Sequence, residues 1–231
     1  MTRLLSHVAC LISGLCFFST PSFAEDQTVD FDARHKTCLE DIAVDAEDAY
    51  EKALQWRDQG GGRRAKHCVA MALFALGHEG EAAYRLDNLA AGADGGSTST
   101  RVKHYAEAAN FWLTANEAEK AYASASAGLK LEYDHLELRI SRARAYALSG
   151  RYDYAETDLT SVLTLDPKHS AALRYRADAR FKQDKIEEAQ TDVEAALDLD
   201  PTSVETALLR GKIREAIRLS EVEVEAEAKT P

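Results

Sequence analysis

The 231-residue sequence predicts an all-α fold, an α-solenoid of about five helix-turn-helix units closed by a C-terminal capping helix. Three observations lead there. The phrase LTLDPKH at 163–169 returns 34 residues later as LDLDPTS at 197–203. Columns of like residues repeat at the same spacing well away from that phrase. Within each frame, apolar residues recur three and four apart and are broken midway by a short polar turn, the pattern of two amphipathic helices.

Frames opening at Val102, Leu136, Ser170 and Val204 align position by position. An early column holds Ala109, Ala143, Ala177 and Gly211. Closely crossing helices need small residues there, because a larger side chain forces the axes apart. Three places on stand Trp112, Tyr146, Arg180 and Arg214. Past the turn (SGRYD at 149–153, QDKIE at 183–187) come Ala121, Ala155 and Ala189, then Leu129, Leu163 and Leu197, then Leu131, Leu165 and Leu199. The frame closes at Tyr133, Pro167 and Pro201. Proline lacks an amide donor and disfavours helix in the residue before it, so Asp166 and Asp200 read as boundary residues.

A 34-residue helix-turn-helix period with these columns resembles the tetratricopeptide repeat family, which implies a right-handed solenoid. Units 136–169 and 170–203 carry the resemblance best, although Arg180 stands where an aromatic is usual, with Phe181 beside it, which predicts local repacking. Unit 102–135 keeps Trp112 and Ala121 but closes on Tyr133. Residues 204–219 supply a first helix alone, expected as the cap. Upstream, Ala83 and Ala49 fall in the alanine column of weaker units at 64–97 and 30–63. From Ala83 to Ala121 is 38 residues, so about four extra residues are assigned to the loop GADGGSTSTR at 92–101.

Residues 1–24 lie outside this pattern. MTR makes a positive start, LLSHVACLISGLCFF an apolar core, and Ser22-Phe23-Ala24 a small-x-small cleavage site. The apolar core is shorter than the roughly 20 residues of a spanning helix. The segment reads as a signal peptide cleaved after Ala24, which predicts a periplasmic or else secreted protein without a stable membrane anchor. Cleavage would remove Arg3 and no acid, leaving 27 basic against 39 acidic residues and a charge of −12. Such acidity argues against nucleic acid or an anionic membrane as the main partner. The end, SEVEVEAEAKTP at 220–231, reads as a disordered acidic tail.

Export would leave two cysteines, Cys38 and Cys68, on the first helices of adjacent early units, and an isolated pair in an oxidising compartment predicts a disulfide. A second reading takes His35, Cys38, His67 and Cys68 as a Zn(II) or Cu(I) site. His35 and Cys38 share a helix face, but His67 and Cys68 point about 100° apart, which favours the disulfide.

Catalytic signals are missing. QGGGRRAK at 59–66 lacks the spacing of a phosphate loop and no strand precedes it, so it reads as a turn. Asp94 in GADGG cannot hold calcium alone. There is no HExxH or GxSxG, and no cofactor is expected.

In the family resembled here, first helices of successive units line a concave groove. Carried over by column, the resemblance implies a binding face with Lys103 and Asn110, then Ile140, Arg144 and Leu148, then Arg174, Asp178, Phe181 and Lys182. Its cations and apolar residues suit an extended peptide that carries acids beside an apolar anchor, although solvated helix surface would read the same way. A subfamily that clamps a terminal carboxylate is matched only at Asn110, since Ala106, Ser141, Ala171 and Tyr175 fill the other places. Tryptophans such as Trp56 and Trp112 are more often core packing than recognition residues, Trp112 is assigned to the core by its place in the aromatic column, and Asp158 and Asp192 are assigned to the convex second helices. The function expected is a non-enzymatic scaffold of the bacterial cell envelope that binds a protein or peptide, with oligomeric state open. The alternative is a metal- or redox-handling protein using the His/Cys cluster, and a subunit of a larger enzyme complex would have the same sequence features.

Overall fold

Helix boundaries recur in the register of the sequence columns. A computed structural model describes residues 30–228, with side chains as far as residue 222, so the signal segment falls outside the described residues. Among the described residues five helix pairs follow one another, α1 (Phe31–Ile42) with α2 (Ala46–Asp58), α3 (Gly62–Ala75) with α4 (Glu79–Ala91), and α5 (Thr98–Thr114) with α6 (Ala118–Leu131). The series goes on through α7 (Leu136–Leu148) with α8 (Tyr152–Leu165) and α9 (Ser170–Phe181) with α10 (Ile186–Leu199), and ends on the single helix α11 (Val204–Ala228). No strand occurs among the described residues. Each helix packs on the next, and first helices also pack on first helices, α1 on α3, α5 on α7 and α7 on α9.

Local chemistry sets these boundaries. Inside each unit the chain reverses through a left-handed residue, and Asn116, Gly150 and Asp184 (φ 59°, 73° and 61°) occupy that place 34 residues apart. Glycine adopts this conformation without cost, and Asn and Asp tolerate it better than other residues. Each later first helix is capped from the same column. The side chains of His135, His169 and Ser203 accept from the backbone N–H groups of Leu138, Ala172 and Thr206 at 3.4, 3.2 and 3.2 Å. Before the prolines, Asp166 and Asp200 lie at φ −132° and −136°, and their carboxylates accept from the N–H of Lys168 and Thr202.

Ala109, Ala143 and Ala177, and Ala121, Ala155 and Ala189, are all buried, as are Ala49 and Ala83 in the weaker units. Gly211 departs from its column. It is exposed with open space around it, because among the described residues no further unit stacks against α11. Leu129, Leu163 and Leu197 are core residues, whereas Leu131, Leu165 and Leu199, about 200° further round each helix, are exposed. Helix α11 also runs past the expected end at 219 as far as Ala228, so the alternating Glu and Val/Ala segment is helical over most of its length.

The second helices hold a feature that corrects the sequence reading. Asp158 and Asp192 are not convex surface residues but are buried, at 5% and 3% exposure. Arg142 grips Asp158 with two hydrogen bonds of 2.7 Å, and 34 residues on Arg176 grips Asp192 with two of 2.8 Å. Arg180, the departure from the aromatic column, adds a bond to Asp192 and another to Glu156, each 2.8 Å. Its guanidinium fills the aromatic's place by joining two carboxylates. Removing one member of such a pair leaves an uncompensated buried charge. Asp158→Ala, which strands Arg142 and leaves the nearby Arg139 with Asp134 as its remaining carboxylate, is therefore expected to lower the urea-unfolding free energy by about 3 kcal/mol.

Glu156 adds a pH dependence. Burial alone would raise its pKa, but hydrogen bonds from Lys185, Arg180 and Gln183 outweigh that and hold it down to about 2, against an ordinary 4.5. A carboxyl depressed on folding stabilises above its unfolded pKa, and that contribution fades as pH falls through the folded value. Stability should therefore decline from about pH 4.5 toward pH 2, and Glu156→Gln should flatten that part of a chemical-denaturation profile.

Candidate functional site

The open face of α7 and α9 carries a cavity of about 310 Å³. Ala143, Ala147, Leu148 and Leu113 supply apolar wall, Tyr152 and Leu159 enter from α8, and Arg144, Tyr175, Asp178 and Lys182 supply the polar groups. Helix periodicity explains the selection. Arg142 and Arg144 are two residues apart, so one guanidinium turns to the packed face while the other reaches the open one. Arg144 donates to Asn110 Oδ1 at 3.0 Å, and Ser141 Oγ donates to the same oxygen at 3.3 Å. The Tyr175 ring is flanked by two cations, with the guanidinium carbon of Arg174 4.2 Å and that of Arg144 5.3 Å from its centroid. Among the described residues, Arg144, Arg174 and Lys182 form no salt bridge, unlike Arg142, Arg176 and Arg180.

Of the residues expected to line one binding face, Arg144, Leu148, Asp178 and Lys182 share this cavity, with Arg174 at its edge beside Tyr175. Lys103 and Asn110 line a neighbouring cavity of about 350 Å³ between α5 and α7, together with Glu107, Glu132, His135 and Glu137. Two assignments are corrected. Ile140 is buried at 5% exposure in the cluster that includes Leu163 and Leu173. Phe181 is half-buried against the cluster of Ala177, Val193, Leu209 and Ile213, where α11 covers the end of the stack. Sequence reasoning misses Tyr175 as a site residue. By column it is only a mismatch to a carboxylate clamp, and its meaning depends on two arginines converging on its ring.

Trp112 belongs to the core as expected, and its indole N–H donates to Asp87 at 2.7 Å, which Ser124 also reaches at 2.9 Å. Burial pushes the Asp87 carboxyl up.

A second constellation lies toward the N-terminus. Cys38 and Cys68 are joined sulfur to sulfur, with Cα atoms 6.3 Å apart. Bonded sulfurs offer no thiolate, so Cys38 and Cys68 are not free to complete the ligand set His35, Cys38, His67 and Cys68. His35 Nε2 instead lies 2.9 Å from His67 Nδ1, His67 Nε2 lies 2.9 Å from Glu107 Oε2, and His104 Nδ1 lies 3.4 Å from the same oxygen. A carboxylate only accepts, so His67 donates through Nε2 and, as a neutral imidazole, accepts through Nδ1 from His35. Burial, with His67 adjacent, pushes His35 down to about 4. Burial opposes ionisation of Glu107, but hydrogen bonds from His104 and His67 prevail and hold it down to about 2. His104 and Glu107 escape a reading of the sequence because no spacing links them to His67 across some 40 residues of chain.

No protein-family model matches the sequence, and no curated protein matches it. Among solved structures, a thermophilic TPR protein of Thermus thermophilus is similar over 79% of this chain and 98% of its own, with a TM-score of 0.59 at 15% identity. The fold is that of a tetratricopeptide repeat protein. The MamA RS-1 ArsTM double mutant is similar over 71% of this chain and 89% of its own, with a TM-score of 0.58 at 16% identity. The first TPR domain of human RPAP3 covers 52% of this chain and 94% of its own, with a TM-score of 0.50 at 27% identity. The architecture is accordingly a right-handed tetratricopeptide solenoid, and the cavity beside Tyr175 lies on its first-helix face.

The sulfur bridge closes a loop of 30 residues across the two units where the tetratricopeptide pattern is weakest. In the chain-entropy account such a closure stabilises by roughly 3–4 kcal/mol. Intact mass under non-reducing conditions should show the loss of two hydrogens, and the Cys38→Ser/Cys68→Ser chain should unfold at correspondingly lower denaturant concentration.

Proposed function

We propose that this tetratricopeptide protein is a non-enzymatic scaffold of the bacterial cell envelope that holds an acidic, partly apolar segment of a partner protein against α7 and α9. The observation that carries the reading is the set of cations, Arg144, Arg174 and Lys182, that have no carboxylate partner among the described residues and surround Tyr175 and an apolar-walled cavity. Guanidiniums held over an aromatic ring keep donors directed outward for a carboxylate, while Leu113, Ala147 and Leu148 offer burial to an apolar side chain. Asp178 at the same rim would repel an unbroken acidic run, so the reading favours spaced acids.

Export to the envelope is part of the proposal. The three-part pattern at 1–24 and a cysteine pair suited to an oxidising compartment support it. Among the described residues no helix is long and apolar enough to cross a membrane.

Crosslinking in an envelope fraction, followed by capture of this chain, should recover a specific partner with such a segment. Arg144→Glu combined with Arg174→Glu should weaken that complex at least tenfold, about 1.4 kcal/mol, with helicity unchanged, and the wild-type affinity should fall with added salt. Affinity indifferent to both the double reversal and salt would place recognition elsewhere on the molecule.

A further inference from the structure

We propose that His67, His104 and Glu107 form a binding site for one divalent transition-metal ion of the Zn(II) type at the junction of α3 and α5, with His35 orienting His67 from behind. The donor atoms are already gathered. His67 Nε2 and His104 Nδ1 lie 2.9 and 3.4 Å from Glu107 Oε2, and one donor atom from each of the three residues fits within 4.8 Å of the others. Tetrahedral zinc with bonds of about 2.0–2.1 Å holds its ligand atoms roughly 3.3 Å apart, so small side-chain adjustments suffice. Two imidazoles and a carboxylate form a set of three protein ligands that leaves a fourth position for water or an incoming group.

The surroundings support a built site. His67 and His104 are buried at 2% and 5% exposure, and His104 and Glu107 stand three apart on one face of α5. Helix α3 is tied to both α1 and α5 close to this point. The sulfur bridge begins at Cys68, the residue after His67, and Phe74 stacks on Phe111 of α5 with ring centroids 3.7 Å apart. Metal-bound histidines commonly place their other ring nitrogen against a partner that fixes the tautomer, and His35 Nε2 sits 2.9 Å from His67 Nδ1 for that purpose. When the ion takes His67 Nε2, the imidazole proton resides on Nδ1 and is donated to His35. Lys103 Nζ faces the other carboxylate oxygen of Glu107, at 3.8 Å, which leaves Oε2 for the ion. Glu107 also lines the cavity between α5 and α7, which provides a way in from solvent and room for the fourth ligand.

The test is calorimetric titration of untagged wild-type protein with Zn(II), alongside His104→Gln, Glu107→Gln and His35→Gln variants checked for native helicity by circular dichroism. The expected result is one equivalent bound by wild type, affinity lower by roughly a hundredfold or more in the two ligand variants, and about tenfold lower at unchanged stoichiometry for His35→Gln. X-ray absorption of the zinc-loaded wild type, which needs no variant to fold, should show a nitrogen and oxygen shell with imidazole scattering and no sulfur. Absence of stoichiometric binding, weak multi-site binding unaffected by the substitutions, or sulfur in the shell would overturn the proposal.

Discussion

Where helices of successive pairs cross closely, a small residue with almost no exposed surface, usually alanine, sets the distance between their axes. Ala109, Ala143 and Ala177 do this on the first helices, and Ala121, Ala155 and Ala189 on the second. At the crossing of α6 and α7 even a methyl is too large, since a Cβ on Gly128 would lie 2.6 Å from Leu138 Cδ1. Close axes exclude water from the seams, so any polar group caught there must find its partner within the protein. The paired arginines follow from this constraint. Arg142 with Asp158 and Arg176 with Asp192 satisfy each other two bonds at a time in seams that the alanines have drawn shut.

The same constraint sorts the remaining arginines. A helix that buries one face must present the other, and residues two apart point to opposite sides. Among the described residues Arg144 and Arg174 therefore remain without a carboxylate while their neighbours are neutralised, and their partners become a tyrosine ring and an asparagine oxygen. Ile140 and Arg174 occupy the same column, yet the isoleucine is core and the arginine extends over Tyr175. An aliphatic stem with a polar end can leave a position in which a wholly apolar side chain stays buried.

The N-terminal units solve the stacking problem by other means. Among the described residues their arginine–aspartate contact, Arg64 with Asp32, is exposed rather than buried like those of α7 to α10, and α1, α3 and α5 are held together also by a sulfur bridge, a stacked phenylalanine pair and a chain of histidines ending on Glu107. Each of these ties reaches across units, so the weakly patterned half of the chain depends on contacts distant in sequence.

That difference separates what could be read from the sequence alone from what required the folded chain. Periodicity carries any property that recurs at one place in every unit: the helix-turn-helix order, the buried alanines, the boundary aspartates at 166 and 200, and the confinement of Trp112 to the core all followed from 34-residue columns. The caps at His135, His169 and Ser203 and the left-handed turns at Asn116, Gly150 and Asp184 carry the same period, but their residue types vary within each column, so identity alone did not reveal a shared backbone geometry. Burial of Asp158 and Asp192, the cations around Tyr175, and the meeting of His67 with His104 and Glu107 depended on tertiary structure. In each case two or more helices contribute, and which side chain faces which depends on the crossing of axes and the depth of the seam, quantities that a one-dimensional period does not contain.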